Sequence, residues 1–133
     1  MGQIKISDAA ALLSVSDDTV RRWVEQGRLS DLRDGAGAHV VDGTELAATL
    51  VESGKELERL DRGTGRRSAR NHVTGIVTKV VSDTVMSQVE LQCGPYRVVS
   101  LISTEAVREL GLEPGSVATA VIKATDVSVE AQS

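Results

Sequence analysis

The sequence predicts an α+β protein of two domains, a mainly helical domain followed by an all-β domain. Apolar residues recur with helical spacing in the first half of the chain, and in β-branched, alternating runs from residue 68 onward. Between the halves, residues 61–67 contain two glycines and no apolar residue, which is typical of a linker. We therefore place the two domains at residues 1–60 and 68–133.

The size and composition of the chain limit its function. Of its 133 residues 26% are charged and 41% are hydrophobic, as in an ordinary globular protein. The net charge of −4 argues against a strongly basic nucleic-acid coat protein, so DNA contacts would need a local basic cluster. Because the chain has no Phe, one Trp and one Tyr, each domain would bury only a modest core. We expect a homo-oligomer, a dimer or higher.

The sequence has no features of a membrane-bound or exported protein. Its longest apolar run is far shorter than the ~20 residues of a spanning helix. The N-terminus MGQIKISDAA lacks the pattern of a signal peptide. A single cysteine, Cys93, cannot form an internal disulfide, which fits a reducing compartment. We expect a cytoplasmic protein without a membrane partner.

Two short helices joined by a tight turn are predicted in residues 4–26. Ser7 and Ser16 are each placed to cap a helix N-terminus through the side-chain hydroxyl. The apolar residues of the second helix have i, i+3, i+4 spacing and should form one buried stripe: Val20, Trp23 and Val24. Gly27 follows as a left-handed residue that ends the helix. This pattern is typical of a helix-turn-helix.

A hairpin and a longer helix should complete the first domain. Residues 29–33 and 38–41 can form two short strands around Asp34-Gly35, a dipeptide that strongly favours a hairpin turn. A helix should then begin near residues 42–44, and Ser53-Gly54 interrupts its leucine pattern.

The segments ISDAAALLSVSDDTVRRWVEQGRLSDLR and HVVDGTELAATL resemble the winged-helix DNA-binding head of MerR-type and excisionase-like proteins. The resemblance covers roughly residues 4–52 and implies a winged helix-turn-helix that binds double-stranded DNA. By this resemblance Thr19, Arg21 and Arg22 would enter the major groove. Three residues near the wing would contact DNA or its phosphates: Arg28, Arg33 and His39.

Only part of the chemistry of MerR-type proteins is expected in this chain. The metal-sensing cysteines of metal-responsive MerR proteins have no counterpart here, so we expect no metal site. An alternative for the arginines also stays open. Asp17 with Arg21, and Asp18 with Arg22, are i, i+4 pairs that would suit a solvated helix face.

The second domain is predicted to be a small β-barrel. Its β-branched and apolar runs should form four strands: 72–81, 84–92, 97–102 and 117–123. Turns are indicated at Gly94-Pro95 and at residues 113–116. One short helix, 104–110, should be capped by Ser103. Four or five strands with one helix favour an OB-like barrel, whose exposed edges a second chain would cover.

Several polar residues of this domain are suited to bind an oxyanion. A tetrahedral dianion removed from water needs several convergent donors. Ser68-Ala69-Arg70-Asn71 offers a hydroxyl, a guanidinium and backbone N–H groups, and Lys123 offers an ammonium. Ser103 would add a hydroxyl at a helix N-terminus, where the helix dipole favours an anion.

The segments SARNHVTGIVTKVV, SLISTEAV, LGLEPGS and AVIKATDV closely resemble the Mop domain, a TOBE-type, molbindin-like unit of molybdate-binding proteins. The resemblance runs from Ser68 to about Glu130 and implies that molybdate or tungstate binds at a subunit interface. The family's ligand positions map onto five residues of this chain: Ser68, Arg70, Ser103, Ala106 and Lys123. Ser103 keeps the hydroxyl of the family's threonine, whereas Ala106 replaces a serine and leaves only its backbone N–H as a donor.

Together these features predict a molybdate- or tungstate-responsive DNA-binding transcription regulator. The anion, bound between chains, would favour one arrangement of the tails and so set the spacing of the two recognition helices. Two alternatives stay open. One is a molybdate storage or buffering protein in which the helix-turn-helix serves assembly. The other is an excisionase-like DNA-binding protein whose Mop unit binds no anion.

An enzyme is not expected. Cys93 and His72 could be considered as a nucleophile and its base, but no orienting acid or oxyanion loop accompanies them. Cys93 is better interpreted as a small core residue. We expect no catalytic residue and no catalytic cofactor.

Overall fold

The computed structural model of the chain describes residues 2–61 and 70–132. Its contacts divide the chain into two compact units, Met1–Glu56 and Leu57–Ser133. The predicted linker, residues 61–67, lies outside the described residues except for Asp61. No helix among the described residues combines the length and hydrophobicity that a membrane-spanning segment needs.

The N-terminal part of the chain combines a small sheet with three helices. The elements in chain order are β1 (Gln3–Lys5), α1 (Ile6–Leu13), α2 (Asp17–Glu25), β2 (Leu32–Arg33), β3 (His39–Asp42) and α3 (Gly43–Glu58). The strands form an antiparallel sheet in the order β1-β3-β2. The hairpin of β2 and β3 was predicted, and its turn is held by the Asp34 carboxylate, which accepts the N–H groups of Ala36 and Ala38. Strand β1 was not predicted.

The tight turn between α1 and α2 is confirmed, together with one of its two predicted caps. The Ser16 hydroxyl accepts the N–H of Thr19 at 3.1 Å and so caps α2. The Ser7 cap is wrong. Helix α1 already begins at Ile6, with Lys5 as its N-cap and no side-chain cap, because β1 leads directly into the helix.

The first unit encloses an apolar core. Its fully buried large residues come from α2, the loop after it, β3 and α3: Val20, Leu29, Val41 and Leu46. Trp23 and Val24 pack against them, so the predicted stripe of α2 is confirmed. The predicted interruption of the third helix is wrong, since α3 continues through Ser53 and Gly54. A single glycine costs a helix only about 1 kcal/mol and rarely ends one by itself.

The second unit is one antiparallel sheet with one helix. Its elements are β4 (Arg70–Ser82), β5 (Met86–Cys93), β6 (Tyr96–Ser103), α4 (Thr104–Leu110) and β7 (Val117–Lys123), followed by a 3₁₀ turn at Ala124–Asp126. The four predicted strands and the helix are confirmed within a few residues. The sheet has the order β6-β5-β4-β7.

The predicted OB-like barrel is only half formed in the single chain, and its edges are exposed as predicted. β4 carries an irregularity between Val77 and Lys79, where its register with β5 shifts. Such a bulge bends a strand and lets the sheet curl. Within the described part of the chain the edge strands β6 and β7 do not pair with each other, so the sheet stays open. Four strands in this order leave two free edges in a single chain.

The second unit has a smaller core on one face of its sheet. The buried residues are Val77, Val89, Leu91, Cys93 and Val107. Cys93 is therefore a core residue as predicted, and burial raises the pKa of its thiol. Gly75 packs directly against it: a Cβ there would overlap the carbonyl oxygen of Gln92 and lie 2.6 Å from Cys93 Sγ.

Candidate functional site

Two of the cations predicted to bind an anion lie directly opposite each other. Arg70 begins β4, Lys123 ends β7, and their Cα atoms are partners in the sheet. Side chains so placed share one face of the sheet, with Cβ atoms about 4.5–5.5 Å apart. Neither residue forms an ion pair with a carboxylate in residues 2–61 or 70–132. Facing like charges destabilise a sheet, so this position is suited to an added anion.

Asn71, the last residue of the SARN motif, has a structural role. Asn71 donates from Nδ2 to the carbonyl oxygen of Ile122 at 3.2 Å. By the alternation of the strand its side chain is on the opposite face from Arg70. It ties the ends of β4 and β7 together at the cation pair. Ser68 and Ala69 lie outside the described residues.

Ser103 caps α4 as predicted. Its Oγ accepts the N–H of Ala106 at 3.0 Å. The N–H that the resemblance offered to the anion is therefore already used inside the chain. The Ser103 O–H is still available as a donor, because a hydroxyl both accepts and donates.

The structure does not bring Ser103 to the cation pair within one chain. Ser103 is opposite Met86 at the start of β5, and the next residue of β5, Ser87, is opposite Ser82 at the end of β4. Arg70 is at the other end of β4, which is 13 residues long. That length corresponds to roughly 40 Å along the strand. The predicted ligand set is thus split between the two ends of the sheet.

A buried hydroxyl network holds the Ser103 end in place. Thr104 Oγ1 lies 2.8 Å from Ser87 Oγ and donates to the carbonyl oxygen of Asp83 at 2.9 Å. Ser87 Oγ also lies 2.6 Å from Ser82 Oγ. The Asp83 carboxylate accepts the N–H groups of Met86 and Val85, and these bonds lower its pKa. The sequence analysis missed this network, although Asp83 preceding a strand is a recognisable turn signal.

A half-buried histidine was also missed at the cation end. His72 lies two residues after Arg70, on the same face of β4, and its Nδ1 is 3.2 Å from Asp61 Oδ2. Sequence analysis considered His72 only as a partner for Cys93. Cys93 packs against Gly75, which by strand alternation is on the other face.

Four of the six residues predicted to contact DNA have partners within the first unit. Thr19 Oγ1 lies 2.9 Å from Ser16 Oγ, and the Arg28 guanidinium lies 4.2 Å from the centre of the Trp23 ring. Arg33 Nη1 donates to the carbonyl oxygen of Gly37 at 3.3 Å, and His39 Nδ1 is 3.2 Å from Asp31 Oδ1.

The other two, Arg21 and Arg22, are exposed on α2. In the described part of the chain neither forms an ion pair, so the i, i+4 pairing with Asp17 and Asp18 does not occur. Their guanidinium groups are available to another anion.

Comparison with known proteins identifies the second unit. Residues 67–129 match the TOBE domain family. Over 63 residues, 47% of this chain and 93% of each relative, the chain is 40% identical to molybdenum-pterin-binding protein 1 and 42% identical to molybdenum-pterin-binding protein 3 of Clostridium pasteurianum. A solved molybdate-binding protein from Sporomusa ovata is 32% identical, with a TM-score of 0.48 over 50% of this chain and 98% of that chain. Through residues 67–129, the chain belongs to the TOBE domain family.

Proposed function

We propose that this chain is a molybdate- or tungstate-responsive DNA-binding regulator whose second unit binds the oxyanion between two copies. The observation that carries the proposal is the cation pair: Arg70 lies opposite Lys123, and neither has a carboxylate partner in residues 2–61 or 70–132. It lies in a domain whose relatives are named as molybdenum-pterin-binding proteins.

The chemistry of this pair suits a tetrahedral dianion. A guanidinium offers a planar fork of donors, and an ammonium adds a compact positive charge. Two unit charges match the charge of molybdate or tungstate, and their N–H groups would contact its oxygens rather than the metal. Charge-assisted hydrogen bonds of this kind are among the strongest in proteins. Ser68 is proposed to add its hydroxyl to the same site.

The geometry favours a site shared by two copies. Ser103 lies at the far end of the sheet from Arg70 and Lys123, so a second chain would have to supply it. Apolar side chains on both edge strands favour such an assembly: Val99 and Leu101 on β6, and Val117 and Val121 on β7, are exposed. Uncovered apolar strands at a sheet edge are suited to pair with another chain.

The first unit supports the DNA-binding part of the proposal. Two helices joined by a tight turn, followed by a hairpin and a third helix, are the parts of a winged helix-turn-helix. On the second helix, Arg21 and Arg22 are exposed and form no ion pair among the described residues. We propose that these two arginines contact DNA, while Thr19, Arg28, Arg33 and His39 shape the surface around them.

A storage protein is the second candidate. It is favoured by how much of each relative this one domain matches: the matched region makes up 93% of each of the Clostridium proteins. A domain of that kind needs no DNA-binding unit to bind its ligand. In that case the first unit would serve assembly, and the chain would bind no operator.

The first experiment is a calorimetric titration of the anion-stripped chain with molybdate, with sulfate as the control ligand. Lys123→Ala should weaken molybdate binding about 10- to 150-fold, the loss of one charge-assisted interaction. Lys79→Ala is the matched control, because Lys79 is an exposed lysine of the same sheet that lies on β4, away from the pair. Failure of the wild-type chain to bind molybdate would overturn the proposal.

A second experiment separates regulator from storage protein. Binding to the DNA upstream of its own gene is measured with and without molybdate, at a stated salt concentration. A regulator should bind selectively and change its affinity with molybdate, and Arg21→Ala with Arg22→Ala should abolish DNA binding while leaving molybdate binding intact. Molybdate binding without selective DNA binding would favour storage.

A further inference from the structure

A titratable side chain lies two residue pairs along the sheet from the cation pair. His72 follows Arg70 by two residues on the same face of β4, and its partner across the sheet is Val121. Diagonal neighbours in such a sheet have side chains about 7–8 Å apart. A charge on the imidazole is therefore close enough to act on an anion held by Arg70 and Lys123.

The surroundings of His72 strengthen its electrostatic effect. Its side chain is 17% exposed, and that of Asp61 is 10% exposed. Both line a cavity of about 530 Å³ whose other walls are mostly apolar: Leu60, Val117, Ala118, Thr119 and Val121. Charges that are partly shielded from water interact more strongly than charges in solution.

The contact between His72 and Asp61 has the distance of an ion pair but not the alignment of a hydrogen bond. Nδ1 is 3.2 Å from Asp61 Oδ2. Nδ1 is nevertheless buried without a hydrogen-bond partner among the described residues. A buried ring nitrogen without a hydrogen bond costs free energy. Protonation of the ring places a positive charge beside the Asp61 carboxylate, and this attraction does not need hydrogen-bond alignment.

We propose that His72 is a positioning residue whose protonation is coupled to oxyanion binding, with Asp61 as its counter-charge. The inference rests on the oxyanion site proposed above. Among the described residues, the charged groups near His72 are Asp61 before the sheet, Arg70 on its own strand and Lys123 on β7. Protonation of the imidazole adds one positive charge to this set, which favours a dianion over the same set with a neutral ring.

The direction of the coupling follows from this charge balance. A bound dianion favours the protonated imidazole, so binding takes up a proton from solution. By linkage, the protonated imidazole favours the bound dianion to the same extent. Because only the protonated imidazole carries this charge, molybdate affinity should fall as the pH rises and the ring loses its proton.

The test counts protons as well as measuring affinity. The full chain is titrated with molybdate at about pH 6.5 and about pH 8.5, where molybdate stays a dianion, and near pH 7 in two buffers of different ionisation enthalpy. The wild-type chain should bind about tenfold more weakly at the higher pH and take up a fraction of a proton. His72→Gln should remove both effects, and Asp61→Asn should tighten binding at the higher pH.

The chain provides its own matched control. Of its two histidines, His39 also lies 3.2 Å from an aspartate, Asp31, but in the first unit. His39→Gln should leave proton uptake unchanged.

If His72→Gln binds molybdate and takes up protons like the wild type, the coupling is overturned while the oxyanion site stands. If His72→Gln does not fold, unchanged affinity and proton uptake in Asp61→Asn would overturn it. A wild-type chain that binds no molybdate at either pH would overturn both.

Discussion

The two units of the chain differ in how much of their apolar surface they bury alone. In the first unit, Val20, Leu29, Val41 and Leu46 are fully buried. In the second, large hydrophobic side chains stay exposed along β4, both edge strands and the end of α4. Only Leu12 and Val51 among the exposed large hydrophobic residues of the described chain belong to the first unit. The first unit is closed on itself, whereas the second has a surface that favours a partner.

The unit with the uncovered surface is also the unit with the divided site. Arg70 and Lys123 are at one end of its sheet, and Ser103 is at the other. One event, contact with a second copy, would cover the apolar edges and unite the two halves of the site. This difference between the units suggests that assembly and ligand binding depend on the same surface.

The largest expected effect comes from breaking that surface. Leu101 on β6 is 68% exposed in the single chain, and Val51 on α3 is 67% exposed. Leu101→Asp should dissociate the oligomer and weaken molybdate binding at least about 100-fold, because an unpaired charge would be buried in the contact. Val51→Asp, equally exposed in the closed unit, should change neither. Light scattering and calorimetry measure both quantities, and an intact Leu101→Asp oligomer would exclude β6 as the contact.

A smaller effect, on the free energy of unfolding, is expected from replacing one glycine in each unit. Gly75→Ala should lower the free energy of unfolding by about 2–3 kcal/mol, since its Cβ has no room beside Gln92 and Cys93. Gly54→Ala should raise it by about 1 kcal/mol, because the site in α3 is open and alanine favours a helix. Urea denaturation followed by circular dichroism measures both. A Gly75→Ala chain as stable as the wild type would contradict the close packing of β4 on β5.

The smallest expected effects on stability come from the two serines of the first unit that were predicted to cap helices. Ser16→Ala should cost about 1 kcal/mol of stability, because it removes the cap of α2. Ser7→Ala should be neutral within a few tenths of a kcal/mol, since α1 has no side-chain cap. Equal losses in the two variants, measured by denaturation, would mean that Ser7 does cap its helix.

Local patterns predicted most of the secondary structure, but not the contacts between distant segments. The strands of the second unit and the caps Ser16 and Ser103 were predictable, because alternation and capping depend on residues within a few positions. Ser7 was misassigned because the preceding strand pairs with β3, far along the chain. The open sheet depends on which edge strands meet, and this is likewise a long-range property.

The candidate site was predictable in its residue types but not in its layout. Basic and hydroxyl residues in family order identified Arg70, Ser103 and Lys123. Arg70 lies opposite Lys123 only because of the register of β4 with β7. Ser103 lies far from both because of the register of β5 with β6. The contact between His72 and Asp61 was not predictable for the same reason, since Asp61 is the first residue of the predicted linker and His72 lies beyond its end.

The most direct test of the shared site is complementation between two defective chains. Lys123→Ala removes one half of the site. Ser103→Asp keeps a good helix cap but places a negative charge in the other half. Each variant alone should bind molybdate weakly. If the halves come from different copies, chains co-assembled at random in equal amounts should regain wild-type affinity at about a quarter of the sites. No recovery in mixed oligomers of verified composition would contradict the shared site.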